Sequence, residues 1–295
     1  MALRVTHLNC GSCCPSGGRL AGATAGAPAR LVCRCLLIET EAGLVLVDTG
    51  LGVGQIERRW QGVGALTLAA LRPRLRLEET ALHQVRARGY QPRDVRHIVL
   101  THLDLDHCGG IPDFPDAQIH VMRDEVDGAR AGRTLAAMRR QPVLLLHPTF
   151  FTQRYRPVLW AHGPRWQTHE ADAGETWRGL AGVRAIPGLP PELLLVPLPG
   201  HTFGHMGVAV ESGDGWLLHA GDAYFHRGQI DRSWPRDVPL GYRLFTVVDS
   251  LDPWRVVATR RHLSALLDGD GDVRVVSAHD PWEFDATMAR RAGAS

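Results

Sequence analysis

Short apolar runs recur along the chain, and they predict β-strands because they are rich in β-branched side chains and stop at turn-forming residues. Several of them end at a proline, a glycine or an aspartate, as strands that run into tight turns do. The predicted strands cover residues 3–8, 31–38, 44–47, 95–100, 118–122, 193–198, 206–212, 216–219 and 273–277.

Helical patterns fall between these runs. Residues 78–88 predict a helix that ends at Gly89, and residues 253–267 predict a second helix. A further helix fits residues 124–140, and a short one is expected near the end of the chain. The strand pattern of the first half returns in the second half, which fits two similar halves that meet at a shared edge.

Two segments show no clean periodicity. Residues 11–30 are rich in Gly, Ser, Ala and Pro and predict a long loop, and a loop of that length in a compact domain is usually functional or mobile. Residues 141–192 hold several aromatic side chains among prolines and histidines. We expect this second segment to be a variable insertion that caps a site and selects the substrate, or else a structural excursion packed on the surface.

The composition indicates one ordinary globular domain spanning residues 1–295. Apolar residues make up 44% of the chain and charged residues 22%, which is enough to build a substantial core. The formal charge is only +2, so we expect no nucleic-acid partner. All 33 basic residues are arginine, which we interpret as a compositional habit and not as a binding surface. Neither an export signal nor an apolar stretch of about 18 residues is seen, so we expect a cytoplasmic protein with no membrane partner.

Residues able to bind a metal cluster directly after the predicted strand at 95–100. Four of them occupy six positions in the stretch THLDLDHCGG, where a tight turn after a rigid strand can aim several side chains at one point. Three more follow later strand-like runs, in PLPGH, LLHAGD and VVSAHD. The seven candidate ligands are His102, Asp104, Asp106, His107, His201, Asp222 and His279.

This arrangement resembles the metallo-β-lactamase superfamily, whose five motifs run in the order Asp, HxHxDH, His, Asp, His. Here Asp48, the block 102–107 and the three later residues match that order across nearly the whole chain. The resemblance implies an α/β fold, a four-layer αββα sandwich of two mixed sheets with helices outside and the metal site at the sheet edge. It also implies that Asp48 supports a metal ligand without touching the metal.

The resemblance further implies two divalent ions. His102, residue 104 and His201 would hold one ion, Asp222 would bridge, and the other ion would be held by Asp106, His107 and His279. A hydroxide shared by the two ions, with its pKa lowered towards 7, would attack the substrate. Asp106 is expected to take part in catalysis as well as in metal binding.

One position departs from the family motif, because Asp104 stands where the second histidine is usual. Three carboxylates and a hydroxide would then balance two divalent ions, which suits harder ions better than an all-histidine site does. Zinc is the expected metal, with Mn or Fe as alternatives. In the opposing interpretation, Asp104 is too short to reach and its half of the site is weak or empty.

The predicted function is a metal-dependent hydrolase of a small ester, lactone or thioester, lactonase-like in style. The alternatives are an iron oxidoreductase of the same fold, a phosphodiesterase, and a catalytically silent binding protein. The iron oxidoreductase is disfavoured because we see no fused flavodoxin-like domain to supply electrons. We expect a small-molecule substrate, and exposed aromatics in 141–192 would also serve a homodimer.

Three other groups of residues carry open assignments. Tyr224, shortly after Asp222, is a candidate hydrogen-bond donor to the reacting carbonyl, or a packed aromatic. His205 is expected to bond backbone near the site. Five cysteines lie within the first 35 residues, and we expect them to pack in the core or else to bind a metal or act in redox chemistry. They are Cys10, Cys13, Cys14, Cys33 and Cys35.

Overall fold

A computed structural model describes residues 3–16, 18–23, 28–130, 154–171, 174–269 and 272–293. Within these residues two β-sheets pack face to face. No helix among them is both long enough and apolar enough to cross a membrane. The part of the predicted helix beyond residue 130, and residues 141–153 of the predicted insertion, lie outside the described residues.

The first sheet has seven strands in the order β4-β1-β2-β3-β5-β6-β7. Strand β1 pairs antiparallel with β4 and with β2, and β2 pairs antiparallel with β3. The pairs β3–β5, β5–β6 and β6–β7 are parallel, so the sheet is mixed. The strands are β1 (Arg4–Cys13), β2 (Leu31–Thr40), β3 (Gly43–Val47), β4 (Pro73–Arg74), β5 (Val95–Val99), β6 (Gln118–Met122) and β7 (Arg165–His169).

The second sheet has six strands in the order β13-β12-β11-β10-β9-β8. It is antiparallel except for its last pair, β12 with β13, so this sheet is mixed too. The strands are β8 (Glu175–Trp177), β9 (Leu180–Ala185), β10 (Leu193–Pro197), β11 (Met206–Ser212), β12 (Gly215–His219) and β13 (Val273–Val276).

Apolar side chains from both sheets form the central core. Strand β2 shows how the layers arise, since alternate residues point to opposite faces of a strand. Leu36 and Ile38 pack into the core between the sheets, while Cys35 and Leu37 pack into a second core on the outer face. Both faces of the strand are therefore buried, which explains its continuous apolar run.

Helices cover the outer face of each sheet and complete the αββα sandwich that the sequence predicted. Near the first sheet lie α1 (Val53–Glu57), α2 (Arg59–Gly62), α3 (Ala65–Leu71), α4 (Ala81–Arg86) and α5 (Arg123–Arg130). The later helices are α6 (Leu240–Asp249), α7 (Pro253–Asp268) and α8 (Pro281–Gly293). Leu263 and Leu266 of α7 pack into the outer core of the second sheet.

The sequence correctly placed the strands that carry the candidate ligands, but the described part of 141–192 is more regular than its pattern indicated. Residues 165–169 form the edge strand β7 of the first sheet, and residues 175–185 supply β8 and β9 to the second sheet. These strands belong to the sandwich itself. That the remainder of the segment caps the site stays a prediction.

Candidate metal centre

Every candidate ligand predicted from the motifs follows the carboxyl end of a strand, at one edge of the two sheets. Strands that end at the same edge bring their following residues together from distant points of the sequence. The supporting Asp48 follows β3, the block 102–107 follows β5, His201 follows β10, Asp222 follows β12 and His279 follows β13.

The block 102–107 is a tight turn fixed at both ends. The amide N–H of His107 donates to the carbonyl of Asp104 at 3.0 Å, which closes the turn. The amide N–H of Leu103 donates to the Glu125 carboxylate at 3.0 Å, so α5 anchors the start of the turn. The turn therefore presents His102 and His107 from a rigid base.

One group of three ligand atoms comes from His102, His201 and Asp222, and all three atoms lie within 4.8 Å of one another. The Nε2 atom of His201 is 3.5 Å from Asp222 Oδ2, and that of His102 is 4.0 Å from the same oxygen. Within the described residues, the buried Nε2 atom of His102 has no hydrogen-bond partner. Buried polar atoms are normally paired, so this group fits a bound ion.

A second group comes from His107, Asp222 and His279, again within 4.8 Å. Both histidine Nε2 atoms are 3.2 Å from the Asp222 carboxylate and 3.1 Å from each other. Two ligands of one tetrahedral zinc ion lie roughly 3.3–3.8 Å apart, by the usual bond lengths. Asp222 belongs to both groups, as the bridging role predicted from the family requires.

The far side of both histidine rings in this second group is held by the protein. The Nδ1–H group of His107 donates to Asp48 at 2.8 Å, and that of His279 donates to the carbonyl of Val32 at 2.6 Å. Such bonds fix the ring orientation and leave Nε2 to face a metal. Asp48 thus hydrogen-bonds one of the candidate ligands, and that this bond supports a metal ligand stays a prediction.

Asp48 itself is held in an unusual conformation. Its backbone φ is 57°, in the left-handed region, and its other contacts are the amide and hydroxyl of Thr101 at 2.8 and 2.9 Å. The strain is compensated because the buried carboxylate accepts three hydrogen bonds in this position. This geometry ties β3 to the start of the metal-binding turn.

His205 has the structural role that the sequence predicted. Its ring donates to the carbonyl of Leu198 at 2.7 Å and accepts the amide N–H of Asp222 at 2.9 Å. The residue therefore positions the backbone that carries the shared carboxylate.

Asp104 lies beside His102 and His201, and its carboxylate is paired with a residue that the motifs did not reveal. Arg154 donates from Nε to one oxygen at 2.8 Å and from Nη2 to the other at 2.7 Å. The same Nη2 atom is 3.1 Å from His201 Nε2. A guanidinium group thus stands next to the ring nitrogen that was expected to face a metal.

This ion pair changes the charge count at the site. Burial alone would raise the pKa of Asp104, but Arg154 and His102 outweigh it and hold that pKa well below its usual range. An ionised Asp104 and a charged Arg154 together carry no net charge, as a neutral histidine does. Arg154 therefore offsets the extra negative charge that was expected to favour harder ions such as Mn or Fe.

Asp249 is a second residue that the motifs did not reveal. It lies at the end of α6, with one oxygen 3.7 Å from His201 Nδ1 and the other 3.6 Å from Arg154 Nη2. Burial raises the pKa of Asp249 to about 7, against the opposing effect of His201. No sequence signal marks it, because it is the last residue of an ordinary amphipathic helix.

The electrostatics of the cluster favour a cation. Burial would lower the pKa of His107, yet Asp222 and Asp48 raise it well above its ordinary value. For His279, Asp222 likewise outweighs burial and raises the pKa to about 9. Histidines surrounded by carboxylates attract a proton for the same reason that they attract a metal ion, so the electrostatics around His107 and His279 fit a divalent ion of the kind that the family implies.

Asp106 is the most exposed of the candidate ligands. Its carboxylate Oδ2 is 3.7 Å from His279 Nε2 and 4.0 Å from the sulfur of Cys33. It lines the cleft that opens over the site.

Tyr224 does not face the reacting position that the sequence analysis gave it. The side chain is fully buried, and its hydroxyl donates to Glu283 at 2.9 Å. It is absent from the residues that line the cleft. The spacing after Asp222 sends the ring into the outer core of the second sheet, so Tyr224 is a packed aromatic.

A cleft of about 570 Å³, measured out to the solvent, opens over the site. Its floor holds acidic and basic groups of the centre, while its walls are largely apolar. Lining residues include Leu31, Leu71, Phe225 and Phe245 on the apolar side and Asp106 and Arg154 on the polar side.

Comparisons with known proteins agree with this geometry. The family described as the metallo-beta-lactamase superfamily matches residues 29–279. A probable metallo-hydrolase of Mycobacterium tuberculosis is 39% identical over 287 residues, which cover 95% of this chain and 81% of the relative.

Two solved structures share the fold. An N-acyl homoserine lactone hydrolase, with its product N-hexanoyl-L-homoserine at the catalytic metal centre, is 22% identical with a TM-score of 0.67, and the match covers 97% of each chain. A dizinc quorum-quenching lactonase is 19% identical with a TM-score of 0.63, covering 95% of this chain and 88% of that one.

Proposed function

Because this chain belongs to the metallo-β-lactamase superfamily and is a hydrolase of that family, we propose that it hydrolyses a small ester, lactone or thioester at a two-metal centre. The observation that carries the proposal is the pair of ligand groups that share Asp222. Two such groups around one carboxylate are the arrangement that two neighbouring divalent ions need.

We assign the first ion to His102, His201 and Asp222, with Asp104 beside it, and the second ion to Asp106, His107, His279 and Asp222. Zinc suits these mixed nitrogen and oxygen ligands. When bound, two such ions supply Lewis acidity, which activates water near neutral pH and polarises a carbonyl oxygen.

The chain's own residues have separable tasks in this proposal. Asp106 faces the cleft and is the carboxylate positioned to take up a proton from the attacking water. Asp48 and the carbonyl of Val32 keep the rings of His107 and His279 in one orientation. Arg154 neutralises Asp104, so this half of the centre keeps the charge of a histidine site.

The cleft supports a small acyl substrate. Apolar walls formed by Leu31, Leu71, Phe225 and Phe245 can pack an acyl chain, while the metal groups lie at the floor where a carbonyl would be bound. The lactone hydrolases that share the fold act on molecules of this class. A phosphodiesterase finds less support, because a phosphodiester carries a negative charge that a cationic side chain should bind. Arg154, the arginine among the described lining residues, is already paired with Asp104.

The iron oxidoreductase alternative rested on Asp104 as a carboxylate ligand suited to a harder ion such as iron. Arg154 supplies the compensating charge, so that alternative has no observation in its favour.

The test is a substrate panel with matched variants. Zinc-loaded protein is assayed on N-acyl lactones, aryl esters, thioesters and a phosphodiester. We expect hydrolysis of at least one acyl compound, lost on chelation and reduced more than about 100-fold in kcat/KM by Asp222→Asn. His262→Ala, which removes an exposed histidine of α7, is the control and keeps full activity.

Hydrolysis that survives chelation and is unchanged by Asp222→Asn would contradict the two-metal proposal. Faster turnover of the phosphodiester than of every acyl compound would contradict the substrate class.

A further inference from the structure

A cysteine lies against the second metal position, outside the family's motifs. Cys33 is the third residue of β2, and its side chain is buried. Its sulfur is 4.0 Å from Asp106 Oδ2. Together with Asp106 and His279 it forms a third group of potential ligand atoms that all lie within 4.8 Å of one another.

The backbone around Cys33 is bonded to the loop that carries His279. The ring of His279 donates to the carbonyl of Val32 at 2.6 Å, and the amide N–H of Arg34 donates to the carbonyl of Ala278 at 2.8 Å. The residues on both sides of Cys33 are therefore attached to the ligand loop. The position of the thiol relative to His279 is fixed by these bonds.

The distances suit a shared ion. Asp106 Oδ2 is 3.7 Å from His279 Nε2 and 4.0 Å from the Cys33 sulfur. Two ligands of a tetrahedral zinc ion lie roughly 3.3–3.8 Å apart, and pairs that include sulfur lie at the longer end because the zinc–sulfur bond is longer. Asp106 Oδ2 therefore lies within a few tenths of an ångström of ligand spacing from both partners, and the Cys33 sulfur and the His279 ligand nitrogen lie within 4.8 Å of each other.

We propose that Cys33 is a ligand of the second metal ion, beside Asp106 and His279, and that this sulfur makes the centre selective for zinc. The proposal rests on the proposed two-metal function and adds a ligand to it. The thiol loses its proton to solvent as the sulfur–zinc bond forms. A soft thiolate favours zinc over manganese, so metal selection comes from Cys33 and not from Asp104.

Neighbouring cysteines supply matched controls. Cys35 lies two residues further along the same strand on the same face, but its thiol contacts the carbonyl of Cys33 at 3.8 Å and belongs to none of the metal-binding groups of the described residues. Cys13 lines the cleft, and its thiol lies beside that of Cys33. It is the other thiol near enough to compete.

The test replaces zinc by cobalt(II) in chelator-treated protein under reducing conditions. Cobalt bound to a thiolate gives a sulfur-to-metal charge-transfer band in the near ultraviolet, whereas its ligand-field bands in the visible report binding of any kind. We expect both signals in the wild type and loss of the charge-transfer band in Cys33→Ala. Cys35→Ala and Cys13→Ala keep the band.

Circular dichroism checks that each variant is folded, and Cys33→Ser serves if the alanine variant is not. A second readout is competition between zinc and manganese, in which the preference for zinc falls in Cys33→Ala and not in Cys35→Ala.

The outcomes separate this proposal from the function on which it rests. Ligand-field bands without a charge-transfer band in the wild type, or a charge-transfer band that persists in Cys33→Ala, would overturn the role of Cys33 and leave the two-metal hydrolase standing. Absence of both kinds of band would overturn the metal centre itself.

Discussion

At the scale of single residues, the candidate centre contains an ion pair at the position where the family motif has its second histidine. Asp104 stands where the family has a histidine, and Arg154 returns the local charge to that of a histidine. Both side chains are buried. A buried charge without its partner is costly, so the two residues are expected to depend on each other.

A double-mutant cycle tests this dependence without any metal. In chelator-treated protein, Arg154→Met and Asp104→Asn each lower the free energy of unfolding by about 3–5 kcal/mol, because each removes one member of a buried, doubly hydrogen-bonded ion pair. The double variant is less destabilised than the sum of the two single variants. Urea unfolding measures all four proteins, and strictly additive effects would show that the pair is not coupled.

The sequence predicted the types and order of the candidate ligands but not the pairing of Asp104. An aspartate at a ligand position needs a compensating cation, yet 33 arginines offer no way to choose one, and Arg154 lies 50 residues away. The role given to Tyr224 failed for a similar reason. Spacing alone does not say to which side of a turn a ring will point.

At the scale of elements, a side-chain hydrogen bond joins helix α1 to the segment that follows the loop of candidate ligands. Asp113, which follows that loop, accepts the amide N–H of Val53 at the start of α1 at 3.0 Å. Burial raises the pKa of Asp113 to about 6 from an ordinary value of 3.8. The folded protein therefore keeps the Asp113 carboxyl group protonated up to about pH 6, whereas the group ionises near pH 4 in the unfolded chain.

This shift predicts a pH dependence of stability. Because the folded pKa is raised, the stabilising effect is complete below about pH 4 and is lost as the pH rises through 6, a change of at most about 3 kcal/mol. Asp113→Asn keeps the acceptor without the charge. Its unfolding free energy should exceed that of the wild type at pH 7 and approach it below pH 4.

Denaturant unfolding across this pH range gives the measurement, with Asp116→Asn, an exposed aspartate nearby, as the control. An unchanged pH profile in Asp113→Asn would mean that Asp113 ionises normally.

The strands that precede candidate ligands were predictable because they are rich in buried apolar residues, such as residues 193–196 before His201. Strand β7 was not, since RWQTH is an edge strand with only its last residue buried. An edge strand of that kind owes its pairing to the neighbouring β6 and has no apolar period of its own.

At the scale of the whole molecule, the centre joins the two sheets. His102 and His107 come from the first sheet, whereas His201, Asp222 and His279 follow strands of the second. A metal that binds this set binds only the folded protein, so it stabilises the packing of one sheet against the other.

Metal removal should therefore lower the melting temperature. Zinc at about 100 times its dissociation constant contributes roughly 2.7 kcal/mol, which corresponds to a rise in Tm of about 4–5 °C for a chain of this length. Asp222→Asn should lose most of this rise, and His262→Ala should keep it. A Tm that zinc does not change in the wild type would argue against a site formed by both sheets.

The most direct test of the central claim is the number of metal ions per chain. Elemental analysis of zinc-loaded, desalted protein should give about two ions for the wild type and about one for each of His102→Ala and His279→Ala, since these histidines belong to different ligand groups. Two ions in both variants, or fewer than one in the wild type, would contradict the two-metal centre on which the proposed hydrolysis depends.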